Sequence, residues 1–149
     1  MIELPIQQVF DYMSTPENDF QWQYGTLATA KITSRHKEMS VYFRSIGHLM
    51  GRRNLGIHEV IESSSNMRYR FKSISGPLYM QTTYTFETAG DGTKVEVSIR
   101  IGVVNFPRMS ERILGIKMKK QLKENLVMLR DILEAKRISS SSEAILLIN

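Results

Sequence analysis

Leu78-Tyr-Met-Gln-Thr-Thr-Tyr-Thr-Phe-Glu-Thr-Ala-Gly-Asp-Gly-Thr-Lys-Val-Glu-Val-Ser-Ile-Arg-Ile-Gly-Val103 is the stretch that decides the fold. Its second half, Thr93 to Val103, places Val95, Val97, Ile99, Ile101 and Val103 in one phase and Lys94, Glu96, Ser98 and Arg100 in the other. That rhythm of two predicts a half-buried strand of an antiparallel sheet, dry on one side and wet on the other. Its first half, Leu78 to Glu87, does the same, with Met80, Tyr84 and Phe86 against Gln81, Thr83 and Thr85. Between them stands Ala89-Gly90-Asp91-Gly92, where Asp-Gly is expected to supply the positive φ angles of a tight hairpin.

Upstream, Met67 to Ser73 alternates in the same way, with Met67, Tyr69 and Phe71 opposite Arg68, Arg70 and Lys72. Thr26 to Thr33, Val41 to Met50 and Asn54 to Glu62 are further strand candidates, separated by turns such as Ser63-Ser64-Ser65-Asn66 and Ser75-Gly76-Pro77. Before Thr26 the period is helical. Ile6, Val9, Phe10 and Met13 form one stripe of a short helix starting at Pro5. Thr15 then reads as the N-cap, and Pro16 as N1, of a second short helix carrying Phe20 and Trp22 and stopped by Gly25.

Downstream, the spacing predicts one long helix from about Pro107 to Lys136. Leu114, Met118, Leu122, Leu126, Leu129 and Leu133 make its apolar face, which Met109, Ile113 and Ile116 broaden at the start. Gly115 inside it costs about 1 kcal/mol relative to alanine, which calls for close approach to the sheet, room for a bound molecule, or a tolerated weak spot. Residues 1–137 thus read as one domain. Residues 138–149 read as a Ser-rich linker and a short apolar tail.

The composition narrows the function. With 42% hydrophobic and 23% charged residues in 149, the chain has material for one core, not two. No apolar run reaches the ~20 residues of a membrane-spanning helix, and the start lacks the pattern of a signal peptide. Zero cysteines exclude disulfides and thiolate chemistry, which fits a cytoplasmic protein and also many exported ones. The net charge of +5 is spread along strands and helix, so no nucleic acid is expected. His36, His48 and His58 are scattered, and His58-Glu59 lacks the second histidine of a zinc helix, so no metal or other cofactor is implied. There is no Gly-x-Ser-x-Gly elbow and no phosphate loop.

Two short helices, a run of antiparallel strands and a long terminal helix suggest an α+β helix-grip fold, a curved sheet wrapped around the last helix. The sequence resembles the SRPBCC superfamily, whose branches include START-like, Bet v 1-like and polyketide cyclase/dehydrase-like proteins. The matching stretches are Pro5 to Met13, Pro16 to Trp22 with its tryptophan, Met50-Gly51-Arg52-Arg53, Ser75-Gly76-Pro77, Tyr84-Thr-Phe86 leading to Gly90-Asp91-Gly92-Thr93, and Leu126 to Glu134. Together they cover residues 2 to 136. One departure is the start. The resemblance calls for a full strand before the first helix, and only Ile2 to Leu4 stand there. Either that strand is very short or the chain belongs to a longer one. A missing strand leaves a sheet edge open to another copy or to the apolar tail, so a homodimer through either is one expectation.

The resemblance implies a cavity between sheet and helix that holds a small hydrophobic molecule such as a lipid, a polyketide or a quinone-like compound. Tyr69, Phe71, Met80, Thr82, Tyr84, Val97, Ile99 and Ile101 from the strands would line it, with Met109, Ile113, Leu114 and Met118 from the helix. Arg44, Arg52 and Arg53 are candidates for an anion clamp at its mouth. Three functions compete. The first is ligand binding without chemistry. The second is an enzyme of the polyketide cyclase/dehydratase type, with Tyr69, Tyr84 and Thr82 as donors. The third is a partner-binding protein using the tail or a basic sheet face of Arg68, Arg70, Lys72, Lys94 and Arg100.

Overall fold

The computed structural model describes residues 1–32, 41–49, 52–76, 78–103 and 111–148. Helix α1 (Ile6–Met13) follows Pro5 and buries Val9, Phe10, Tyr12 and Met13, the stripe that the spacing predicts with Tyr12 added. A 3-10 turn (Pro16–Asn18) leads into α2 (Asp19–Trp22). Thr15 precedes that turn, but its hydroxyl donates back to the Asp11 carbonyl at 2.7 Å instead of capping forward. Gly25, at φ 87°, turns the chain out of this unit and into the sheet.

Six strands follow, β1 (Thr26–Ile32), β2 (Val41–Leu49), β3 (Arg52–Ser64), β4 (Arg68–Ser75), β5 (Leu78–Ala89) and β6 (Gly92–Val103). They pair antiparallel in chain order, β1-β2-β3-β4-β5-β6. The expected strand ends at Thr33 and Met50 lie outside the described residues. The β5–β6 hairpin is the longest ladder, in register from Leu78↔Val103 to Ala89↔Gly92. Its two-residue turn is Gly90-Asp91, with the positive φ of 60° on Gly90 and not on Asp91. Glycine at the first central position satisfies such a turn without a second left-handed residue. Met67, expected inside, is exposed, because the chain at that point is still leaving the turn at Asn66 (φ 61°).

The register carries the alternation across the whole sheet. Tyr69 faces Tyr84, Phe71 faces Thr82 and Phe43 faces His58, all on the inner face. Arg68, Arg70, Lys72, Lys94 and Arg100 are in the opposite phase. Carboxylates answer most of that outer charge: Glu62 lies within 3.6 Å of Arg68 and 3.4 Å of Arg70, Glu59 within 3.7 Å of Lys72, and Glu96 within 3.2 Å of Lys94. Three carboxylates thus pair four of these five cations.

The N-terminal segment does take part in the sheet, at one position. Ile2 and Thr93 exchange two backbone hydrogen bonds of 2.8 Å, and the Thr93 hydroxyl donates to the Leu4 carbonyl at 2.8 Å. This bridge covers only the first turnward end of β6. From Lys94 onward no strand among the described residues pairs with that edge.

Helix α3 (Glu111–Ile148) closes the inner face. The expected start at Pro107 lies outside the described residues. The helix runs on to Ile148, through the segment whose composition suggests a linker. Between Arg137 and Ile148 there is no Gly or Pro to break it, and serine costs below about 0.7 kcal/mol per helical position. Its turns from Leu126 to Leu133 pack the core, with Leu129 fully buried, Leu133 nearly so, and Leu126 and Ile132 packed beside them. Its first turns do not. Ile113 and Ile116, read as broadening the buried face, are 49% and 63% exposed. The core of Val9, Phe10, Met13, Tyr69, Phe86, Leu129 and Leu133 lies beneath the later turns, so the earlier turns have open space under them. No helix of the described residues is long and apolar enough to cross a membrane.

Candidate functional site

That open space is a cavity of about 580 Å³ between the inner sheet face, α2 and the turns of α3 from Lys117 to Asn125. Its size falls within the ~300–1,000 Å³ range usual for small-molecule sites. One wall is apolar, formed by Phe71, Met80, Val97 and Ile99 from the strands and Met118 and Leu122 from the helix. Aromatic rings frame the deeper part. Tyr84 meets Trp22 edge-on at 6.0 Å and Phe71 at 5.7 Å, and Phe43 meets Phe71 edge-on at 5.3 Å. Such edge contacts fix ring positions and hold the wall in shape.

Of the residues the sequence nominates, Phe71, Met80, Thr82, Tyr84, Val97, Ile99 and Met118 border this cavity. Tyr69 does not. It is buried against Tyr84, centroids 5.9 Å apart, and belongs to the core behind the wall. Ile101 is half-buried on β6 but does not border the cavity, and Ile113 is exposed and away from it. Met109 lies outside the described residues, as does the side chain of Leu114. Of the arginines suggested as a clamp, Arg44 and Arg53 are exposed and do not border the cavity, the side chain of Arg52 lies outside the described residues, and the lysines of the described lining are Lys117 and Lys120 of α3.

The second side of the cavity is polar, and the sequence reading did not foresee it. Residues Asp19 and Trp22 stand three apart on α2, hence on one face. The 3-10 turn and α2 are tied to β1 where the Lys31 N–H donates to Glu17 Oε1 at 3.1 Å. Thr29 of β1 faces Ser45 of β2, and the Ser45 hydroxyl lies 2.9 Å from His58 Nε2 on β3. The His58 ring stacks on Phe43 at 4.8 Å. Gly56 leaves the room this pair needs, because a Cβ there would come within 3.3 Å of His58 Nε2. Gln23 Nε2 donates to the Tyr84 hydroxyl at 3.2 Å, and Asn125 Oδ1 accepts the Tyr24 N–H at 3.0 Å, joining α2 to α3 at the mouth.

Burial sets the protonation states. Asp19, 6% exposed, has its pKa raised well above the ordinary carboxyl value, first by burial and then by the Glu17 charge. Burial lowers His58 to about 4, so its imidazole is neutral. The Tyr84 hydroxyl is pushed up by burial, with smaller contributions from Asp19 and Tyr69 and a counteracting hydrogen bond from Gln23. Burial thus favours the neutral form of each of these groups. Ser45 and His58 lie at the distance of a nucleophile and its base, but His58 Nδ1 has no protein partner among the described residues. A hydrolytic pair needs a carboxylate there to hold the imidazolium. Among the described residues no three His, Asp or Glu side chains gather as a metal site.

Solved structures share this architecture. A protein from Thermus thermophilus aligns with TM-score 0.70 at 20% identity, covering 94% of both chains. A START superfamily protein from Mycobacterium smegmatis aligns with TM-score 0.72 at 16% identity, covering 89% of this chain and 93% of its own. An aromatase/cyclase from a Streptomyces species aligns with TM-score 0.71 at 9% identity, covering 89% of this chain and 88% of its own. At such identities the likeness is one of fold. No curated protein matches the chain significantly by sequence. The family model described as "Polyketide cyclase / dehydrase and lipid transport" matches residues 1–134. Nearly the whole domain lies within that match, and the chain belongs to this family, within the SRPBCC superfamily.

Proposed function

We propose that this protein binds a small, largely apolar molecule in the cavity between its sheet and α3. The observation that carries the reading is the cavity itself, about 580 Å³ in a 149-residue chain, walled by Phe71, Met80, Val97, Ile99, Met118 and Leu122. A ligand burying about 300 Å² of apolar surface gains ~7 kcal/mol gross. Lost translational and rotational freedom offsets part of that, which leaves affinity near the micromolar range. Trp22, the single tryptophan, borders the cavity and reports on its occupancy. Titration with the neutral probe N-phenyl-1-naphthylamine is expected to raise probe emission and quench Trp22. Ile99→Phe, which adds bulk to the apolar wall, is expected to weaken both without unfolding the protein. Equal probe response in the wild type and in Ile99→Phe would remove the cavity as the binding site.

A further inference from the structure

Five buried side-chain polar atoms among the described residues have no hydrogen-bond partner in the protein, and four belong to residues that line this one cavity. They are Asp19 Oδ1, Trp22 Nε1, Thr29 Oγ1 and His58 Nδ1. The fifth, Asn66 Oδ1, sits at the β3–β4 turn. Buried polar groups in folded proteins are nearly always paired, so four unpaired ones on one cavity are not an accident of packing. They are also gathered on one side. Asp19 and Trp22 come from α2, Thr29 and His58 from the β1–β3 end of the sheet that α2 rests on, while the apolar wall is built by β4, β5, β6 and α3.

We propose that this corner recognises an uncharged carbonyl- or hydroxyl-bearing end of the ligand, whose apolar body lies along the wall of Met80, Val97, Ile99 and Met118. The inference rests on the reading of the cavity as a ligand site. The chemistry of the four atoms defines the group. The Trp22 N–H can only donate, the Asp19 carboxyl accepts and, when protonated, also donates, the Thr29 hydroxyl does both, and neutral His58 offers Nδ1 in whichever role its tautomer leaves. Together they suit a ketone, a phenol or an alcohol. An anionic end does not suit them. The cavity's lysines, Lys117 and Lys120, are exposed on α3, and no Lys or Arg of the described lining belongs to the α2 side. A carboxylate seated there would be desolvated beside Asp19 with no cation to answer it.

The test uses one bicyclic skeleton with three ends, namely tetralin, 1-tetralone and 1-naphthoate, each competing against N-phenyl-1-naphthylamine on the full chain. Tetralone is expected to bind about tenfold more tightly than tetralin, and naphthoate more weakly than tetralone. Asp19→Ala is expected to bring the tetralone-to-tetralin affinity ratio down to about one, and Asp19→Asn to restore most of the difference. Far-UV circular dichroism shows that the variants are folded. Tetralin binding as tightly as tetralone, naphthoate binding tightest, or Asp19→Ala weakening tetralin and tetralone alike would each overturn the proposal. So would a probe that binds and is displaced by none of the three. A probe that does not bind at all strikes instead at the cavity reading on which the proposal stands.

Discussion

If the turns of α3 over the cavity and the turns from Leu126 to Leu133 do different work, truncating one apolar side chain in each should give very different costs. Leu129 is fully buried in the core, whereas Met118 is half-buried on the cavity wall. Removing Leu129 down to alanine deletes three carbons from a packed site whose neighbours, Leu126, Ile132 and Leu133, sit on the same helix and cannot collapse freely. Such truncations cost about 2–5 kcal/mol, with the larger values where the cavity left behind stays open. Met118 already faces open volume, so it has fewer contacts to lose, and Met118→Ala should cost below about 1 kcal/mol. In a domain of this size 1 kcal/mol moves Tm by roughly 2–4 °C. Leu129→Ala is therefore expected to lower Tm by about 4–20 °C and Met118→Ala by no more than about 4 °C. Thermal melts followed both by far-UV circular dichroism and by Trp22 emission measure both. In probe binding the order should reverse, with Met118→Ala altering affinity and Leu129→Ala leaving it alone below its Tm. Comparable losses of stability in the two variants would refute the division of the helix.

Other expectations follow from single positions. A Cβ at Gly115 would meet nothing within 4 Å, so neither close approach to the sheet nor a bound side chain requires the glycine, and Gly115→Ala should stabilise by up to about 1 kcal/mol in urea denaturation. A Cβ at Gly47 would come within 2.6 Å of the Gly25 carbonyl oxygen, so Gly47→Ala must spread the β1–β2 entry and should cost on the order of 1–3 kcal/mol, read as a lowered urea midpoint. His58 has its folded pKa depressed to about 4 from 6.5, so the unfolded chain takes up its proton first as pH falls. Its contribution is present above pH 6.5 and lost between about 6.5 and 4; urea midpoints should fall across that window, and His58→Gln should flatten the fall. Asp19 has the opposite sign, its folded pKa being raised, so its contribution is present at low pH and lost as pH rises through the folded value. Thr29→Val removes a buried unpaired hydroxyl at nearly constant shape, and should raise ligand-free stability by about 1 kcal/mol while weakening tetralone binding.

How far the sequence reaches depends on what fixes each feature. The β5–β6 ladder was legible, because it is set by local alternation, whereas the residue carrying the positive φ of its turn is Gly90 and not the expected Asp91-Gly92 pair. The same alternation put Phe71, Met80, Thr82, Tyr84, Val97 and Ile99 on the inner face, and the cavity borders all six. Along α3 the apolar period correctly marked Leu129 and Leu133 as buried, yet it assigned Ile113 and Ile116 to the same face. A helical stripe reports its own continuity, not what lies opposite it. The core stops beneath Leu126, and beyond that point nothing in the period distinguishes a packed residue from one over a cavity or in water. Composition reads the Ser-rich stretch as a linker, and α3 continues through it to Ile148, because a helix already under way continues cheaply until a residue forbids it.

The polar corner was illegible because it is assembled from positions far apart in the chain, 19, 22, 29 and 58, that meet only when α2 rests on β1 and the first three strands come into register. One signal was nonetheless available. His58 shares the phase of Val60 on β3, and a histidine in step with an apolar neighbour on a half-buried strand faces inward. Followed one step back along the strand, that phase leads to Gly56, and the vacant Cβ position there is where Ser45 and His58 meet. Four unpaired atoms are costly for a marginally stable domain, at about 1–3 kcal/mol for each buried group left unsatisfied. An all-apolar corner of the same shape would fold more easily. Such a corner could hold a hydrocarbon and nothing more discriminating. Retaining Asp19, Trp22, Thr29 and His58 makes sense only where the molecule in the cavity has a polar end to be told apart from one that lacks it.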